Sequence, residues 1–182
     1  MLRLFFALQP SADIGASLLA TAAPLLTDLQ TQRVPLSNLH ATLSFVGAVA
    51  PEKLDALCAA AASVRGEQLE LVFDTFEYWE KPRVVVAGAS RESQEANALS
   101  VTLGQAAAAA GFAPDIKPFR AHLTLARKIS PEAAEKFSWP LKISPGFVVR
   151  CEKFALMESR RVDDASIYSV VDEWPLYGKK DR

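Results

Sequence analysis

The chain carries two histidines, and each opens the same four-residue pattern, His40-Ala41-Thr42-Leu43 and His122-Leu123-Thr124-Leu125. Each copy sits in an apolar run, LHATLSFVG and AHLTLA, that reads as a short strand. Along a strand, residues i and i+2 point to one face roughly 7 Å apart, so each imidazole shares a face with its threonine hydroxyl. Two such strands facing one another would bring together two groups that exchange protons near neutral pH and two neutral hydroxyl donors. That set forms a cradle for a phosphate, with the hydroxyls aimed at non-bridging oxygens. Taken singly, a histidine on a half-apolar strand is usually a satisfied core residue, and threonine is simply a good strand former. Repetition of the whole pattern outweighs both readings. No Cys, Asp or Glu stands at ligand spacing from either histidine, which makes a poor donor set for zinc, so neither a metal nor another cofactor is expected.

The elements that must hold the two motifs are themselves duplicated. Residues 2 to 8 (LRLFFAL) read as a strand, residues 12 to 30 as an amphipathic helix, and a loop with Arg33 and Pro35 leads into the first motif. Pro51-Glu52 opens a second helix running to about Gly66, and residues 69 to 79 return to strand character. The order then recurs: a strand at 83 to 89, a helix at 91 to 110, a Pro-containing loop, the second motif, a short helical stretch from Pro131-Glu132, and a strand at 147 to 158. Phe5 lies 35 residues before His40 and Val85 lies 37 before His122; the Pro-Glu pairs follow the histidines by 11 and 9. These spacings predict internal repeats of about 2 to 79 and 83 to 158, closed by segments within 166 to 177, in a single bilobal α+β domain over 1 to 182 with pseudo-two-fold symmetry and a site between the lobes. Asp163-Asp164 reads as a solvated turn and the tail GKKDR as frayed.

Composition narrows the partners. With 182 residues, 50% of them hydrophobic, and 20 basic against 21 acidic side chains, the chain is an ordinary globular one without the broad basic surface that holds long duplexes. The opening MLRLFFALQP is too short for a signal-peptide core, and no apolar stretch approaches the ~20 residues of a membrane span. Cys58 and Cys151 lie in unrelated contexts and read as buried thiols of a reducing cytosol.

On the segments RLFFAL, NLHATLSFVG, RVVVAG, KPFRAHLTLAR and WPL, the chain resembles the 2H phosphoesterase superfamily. Within it the likeness is to the bacterial RNA 2′,3′-cyclic phosphodiesterases, also called the 2′-5′ RNA ligase or LigT-like family. Ala41 departs from the leucine that members often carry, at a position whose parity faces the core. The resemblance implies two antiparallel sheets flanking a cleft, with helices outside. It implies metal-free hydrolysis of a 2′,3′-cyclic phosphate at an RNA 3′ end to a 2′-phosphate, and 2′-5′ ligation in reverse. It makes His40 the proton donor and His122 the acceptor; the near-symmetry of the residues alone leaves that assignment open. Thr42 and Thr124 would hold the non-bridging oxygens. Arg127 would clamp the phosphate, which by parity requires a twist or bulge at the strand end. Phe6 and Phe119 would stack on the terminal base, their other use being plain core packing. Lys117, Arg120, Arg127 and Lys128 surround the second motif as solvating charges or as a small funnel for an RNA end. The same chemistry would serve a small cyclic nucleotide, an ADP-ribose cyclic phosphate or a 2′-5′ oligonucleotide, and a non-catalytic RNA-end binding module is the reading from another class. The expected protein is a cytoplasmic monomer with no obligate protein partner and no membrane.

Overall fold

Alternation sets the first strand, β1 (Leu2–Leu8): Leu4, Phe6 and Leu8 face the main core while Phe5 and Ala7 face a smaller cluster with Ala155 and Met157. The computed structural model describes residues 1–115, 117–163 and 165–178; Asp164 of the expected turn and residues 179–182 of the tail lie outside the described residues. Helix α1 (Ala12–Asp28) starts where the Ser11 hydroxyl accepts from the Ile14 N–H, and it buries Leu18, Leu19, Ala22, Leu25 and Leu26 at helical spacing. Strand β2 (Ala41–Val49) follows, then a 3-10 turn at Pro51–Lys53, α2 (Leu54–Ala62), β3 (Leu69–Trp79) and β4 (Val84–Gly88). Helix α3 (Gln94–Ala109) is capped by Ser93, whose hydroxyl accepts from the Ala96 N–H at 3.1 Å. The chain closes with β5 (His122–Arg127), α4 (Pro131–Ala134), β6 (Leu141–Cys151), β7 (Lys153–Val162) and β8 (Ala165–Pro175). Among the described residues no helix is long and apolar enough to cross a membrane.

The strands form two four-stranded antiparallel sheets, in the orders β2-β1-β7-β8 and β5-β4-β3-β6. In each, the motif strand is at one edge and the corresponding strands occupy corresponding places. The third strand of each half is exchanged: β3 pairs with β4 in the second sheet, and β7 pairs with β1 in the first. The stretch 147 to 158, expected as one strand, is therefore two. The chain leaves the second sheet at Cys151 and enters the first at Lys153, a switch that strand propensity cannot register because both pieces are good β sequence. The closing segments form one edge strand, β8, rather than two pieces.

Both motif strands are bulged at the same place. Thr42 pairs with Ala7 and Ser44 with Phe6, so Leu43 has no partner; Thr124 pairs with Val86 and Ala126 with Val85, so Leu125 has none. Each bulge carbonyl is satisfied from outside its ladder. The Leu43 carbonyl accepts the buried Ser100 hydroxyl of α3 at 2.5 Å, and the Leu125 carbonyl accepts the Val34 N–H at 2.7 Å. The loop before each motif also crosses over to cover the other motif strand, Arg33 bridging Ala126 and Asp115 bridging Phe45.

Ser100→Ala is expected to leave the Leu43 carbonyl buried without a donor and to cost about 1–3 kcal/mol, an effect the better helix propensity of alanine offsets only in part. Urea unfolding measures it; a variant as stable as the parent would show that another group satisfies this carbonyl.

Candidate active site

The bulges decide what the motif strands present. Without an extra residue, strand parity would turn Arg127 away from His122 and Thr124. With Leu125 inserted, Arg127 stands opposite Val84 while Thr124 stands opposite Val86 and His122 opposite Gly88, all on one face. The first motif does the same with Phe45, which is opposite Phe5 and 53% exposed. Phe45 and Arg127 are thus pseudo-symmetric counterparts, an aromatic face and a guanidinium at matching positions.

His40, Thr42, His122, Thr124 and Arg127 line one cleft of about 370 Å³ between the sheets. Each imidazole is fixed by the chain just before it. His40 Nδ1 lies 2.8 Å from the Asn38 carbonyl and His122 Nδ1 lies 2.7 Å from the Arg120 carbonyl. A carbonyl only accepts, so both Nδ1 atoms carry a proton and both Nε2 atoms are left without a described partner. Neither threonine hydroxyl has a hydrogen-bond partner among the described residues. Arg127 donates to the Tyr168 hydroxyl at a long 3.5 Å.

Aromatic walls hold the rings. His40 packs at 4.8 Å from Phe5 and 4.7 Å from Tyr168, and His122 at 4.5 Å from Trp79. Phe5, Phe45, Trp79 and Tyr168 are site residues that motif reading missed. The internal repeat could have found Phe45 by aligning it with Arg127; Trp79 arrives on the exchanged strand β3 and Tyr168 on the closing strand β8, and neither carries a local signal. Two expected residues are corrected. Phe6 is 1% exposed on the opposite face of β1, packed on Phe154 and Trp174, because alternation gives the cleft face to Phe5. Phe119 is half-buried against the main core and does not line the cleft. Of the basic cluster, Lys117 is paired with Asp115, Arg120 is paired with Glu77 and Lys128 does not line the cleft, so the funnel narrows to Arg127, joined from β1 by the exposed Arg3, which has no ion-pair partner among the described residues.

Burial lowers the proton affinity of both imidazoles. His40 falls to about 4, chiefly by burial, partly restored by its bond to the Asn38 carbonyl and lowered further by the charges of Arg127 and His122. His122 is also lowered, again by burial first, with the Arg120 carbonyl and the Glu77 carboxylate working in the other direction. A larger groove, about 660 Å³, lies at the far end of β7 and β8 around Cys151, Lys153 and Trp174; Lys153 is paired there with Glu173 at 2.6 Å, Arg150 is paired with Glu70, and no histidine lines it.

Three comparisons fit this geometry. Residues 15–163 match the model of the 2′-5′ RNA ligase superfamily. The chain is 30% identical over 176 residues, 96% of each chain, to an RNA 2′,3′-cyclic phosphodiesterase of Escherichia coli, and 32% identical over 143 residues, 74% of this chain and 78% of the relative, to one of Archaeoglobus fulgidus. Its fold superimposes on E. coli LigT in apo form with a TM-score of 0.83 at 28% identity, covering 97% of this chain and 98% of that one, and equally well, at 0.83, on LigT complexed with 3′-AMP.

The lowered His40 has a sign for stability. An unfolded imidazole titrates near ~6.5, so below that pH the unfolded chain binds more protons than the folded one. The stabilisation from keeping His40 neutral is full above about 6.5 and is lost as pH falls toward the folded value of about 4. The unfolding free energy should decline across this window, and His40→Gln should decline less steeply. Parallel curves for the two proteins would show that His40 is not held neutral.

Proposed function

The chain belongs to the 2′-5′ RNA ligase superfamily, and on that footing we propose that it is an RNA 2′,3′-cyclic phosphodiesterase whose two histidines perform metal-independent acid/base catalysis. The observation that carries this reading is the pair of imidazoles held by their Nδ1 atoms, each with Nε2 unengaged in the cleft beside an unengaged threonine hydroxyl. A cyclic diester in the cleft is opened in line. Water attacks phosphorus and its proton passes to one Nε2, while the bond to the 3′ oxygen breaks and that oxygen takes the proton of the other Nε2, leaving a 2′-phosphate and a 3′ hydroxyl. Thr42 and Thr124 donate to the non-bridging oxygens, and Arg127, turned inward by its bulge, balances their charge. In 2′-5′ ligation the 5′ hydroxyl of a second strand takes the place of water: its proton passes to one Nε2 as its oxygen bonds to phosphorus, and the 3′ oxygen leaves with the proton of the other; cleavage of that 2′-5′ bond is the reverse, with the two histidines exchanging roles.

His40 is assigned as donor and His122 as acceptor. With its pKa lowered to about 4, His40 is a neutral imidazole protonated at Nδ1 alone at neutral pH, and it takes up a second proton, on Nε2, as the anionic phosphate arrives and offsets the repulsion from Arg127 and His122. The terminal base rests on Phe45, and Arg3, at the end of the same cleft, reaches the next phosphate of an RNA strand, which favours an RNA end over a small cyclic nucleotide. Both motifs come from one chain, so a monomer suffices, and two unpaired thiols suit a reducing cytoplasm.

Turnover of an oligonucleotide ending in a 2′,3′-cyclic phosphate should persist after exhaustive chelation. His40→Ala and His122→Ala should each lower it roughly 100-fold or more. Near-parent activity in either folded variant, or metal-dependent rescue after chelation, would sink the mechanism. Arg3→Gln should raise KM for the oligonucleotide and leave a cyclic mononucleotide unaffected; equal effects on both would favour the small-molecule reading.

The pH profile tests the donor. Because kcat/KM reports the free enzyme and kcat the complex, the basic limb of kcat should lie at higher pH than that of kcat/KM. Coincident limbs would show that the donor does not gain its proton with the substrate.

A further inference from the structure

The two sheets correspond strand for strand, and they part company behind His122. By register, Glu77 of β3 stands opposite Val86 where Ala155 of β7 stands opposite Ala7, and Trp79 stands opposite Val84 where Met157 stands opposite Phe5. The His40 side is thus apolar at a place where the His122 side holds a carboxylate. That carboxylate is 14% exposed and does not line the cleft, yet three donors converge on it: Trp79 Nε1 at 2.8 Å, Arg120 at 2.6 Å and the buried Thr75 hydroxyl at 3.3 Å. Its seat exists because residue 88, the ladder partner of His122, is glycine; a Cβ there would collide with the Glu77 carboxylate.

Two of these three donors, Trp79 and Arg120, act on the imidazole. The Trp79 ring packs 4.5 Å from His122 and 5.0 Å from the Arg120 guanidinium, and the Arg120 carbonyl accepts the Nδ1 proton of His122 at 2.7 Å. We infer that Glu77 is a positioning residue for His122: by tying the Trp79 indole N–H to the Arg120 side chain it fixes both the wall against which the ring packs and the backbone acceptor that holds its tautomer. An isolated exposed ion pair would be worth little, but here one partner is enclosed and the pair closes a ring of contacts around a proton-transfer group. The same carboxylate raises the proton affinity of His122 against the lowering charges of Arg120 and Arg127.

This inference rests on the proposed acid/base role of His122, and its test separates the two. In the full chain without substrate, the two imidazoles give two sets of NMR signals, assigned with His40→Gln. Glu77→Gln keeps an acceptor for the indole and removes the charge. It should shift the His122 titration to lower pH, leave that of His40 in place, and lower kcat roughly ten- to a hundred-fold with KM changed less than about threefold. Glu70→Gln, which breaks the exposed 2.9 Å Arg150–Glu70 pair elsewhere on β3, is the control and should do none of these. An unmoved His122 titration, or a fall in kcat no larger than that of Glu70→Gln, overturns the inference. If Glu77→Gln does not fold, Trp79→Phe removes the anchored N–H together with part of the ring face: kcat should fall with the His122 titration kept, and parent kcat overturns the inference. A parent chain inactive on every cyclic phosphate would defeat the proposed function while leaving the NMR result standing.

Discussion

The bulge that the two motif strands share, at Leu43 and at Leu125, governs the cleft. A strand read by parity alone would send the fifth residue after each histidine to the core side, where a guanidinium at position 127 would be buried without a partner at a cost of several kcal/mol. The bulges at Leu43 and Leu125 turn Phe45 and Arg127 into the cleft and keep Leu43, Ser44, Leu125 and Ala126 in the core. A bulge strands a carbonyl, so the device works only where a donor can reach it. Ser100 and the Val34 N–H are those donors, which makes one α3 side chain and one loop part of the site although neither touches it.

Exchange of the third strands extends that dependence. Neither half can complete its own sheet, since β1 needs β7 and β4 needs β3, and the loops that cover β2 and β5 come from the opposite half as well. The two histidines, one beside each sheet, are therefore held by strands and loops that cross between the halves rather than by a flexible hinge, which is the rigidity that the proposed acid/base pair requires.

How much of this the sequence disclosed follows from the range of each interaction. The motifs and most of the elements around them are local patterns that the sequence displays, and the structure brings His40, Thr42, His122, Thr124 and Arg127 to one cleft, Arg127 through the bulge that parity demanded. Phe6 was misplaced because a run of consecutive apolar residues, LFFAL, gives no anchor for which member faces which layer; the structure gives the cleft to Phe5. The sheet switch at Glu152 was invisible for the same reason, good strand sequence on both sides. Trp79, Tyr168 and Glu77 reach the site through pairings between distant segments, where no spacing rule applies. The asymmetry between the histidines was equally hidden, because it lies in Glu77 against Ala155, a difference that only the aligned ladders expose.

Strand exchange also has a consequence in time. Leu4 pairs with Glu158, so the central strand of the first sheet meets its second neighbour only after about 150 further residues have been made. At roughly 5–20 residues per second, that interval is on the order of ten seconds or more, and loop closure over such a span slows the docking further. Through it a nascent β1–β2 pair keeps one side of β1 unpaired and the apolar side chains Phe5 and Ala7 without Ala155 and Met157. During synthesis the chain is a ready template for β-pairing with its neighbours on a polysome, and the window closes when β7 emerges from the ribosome.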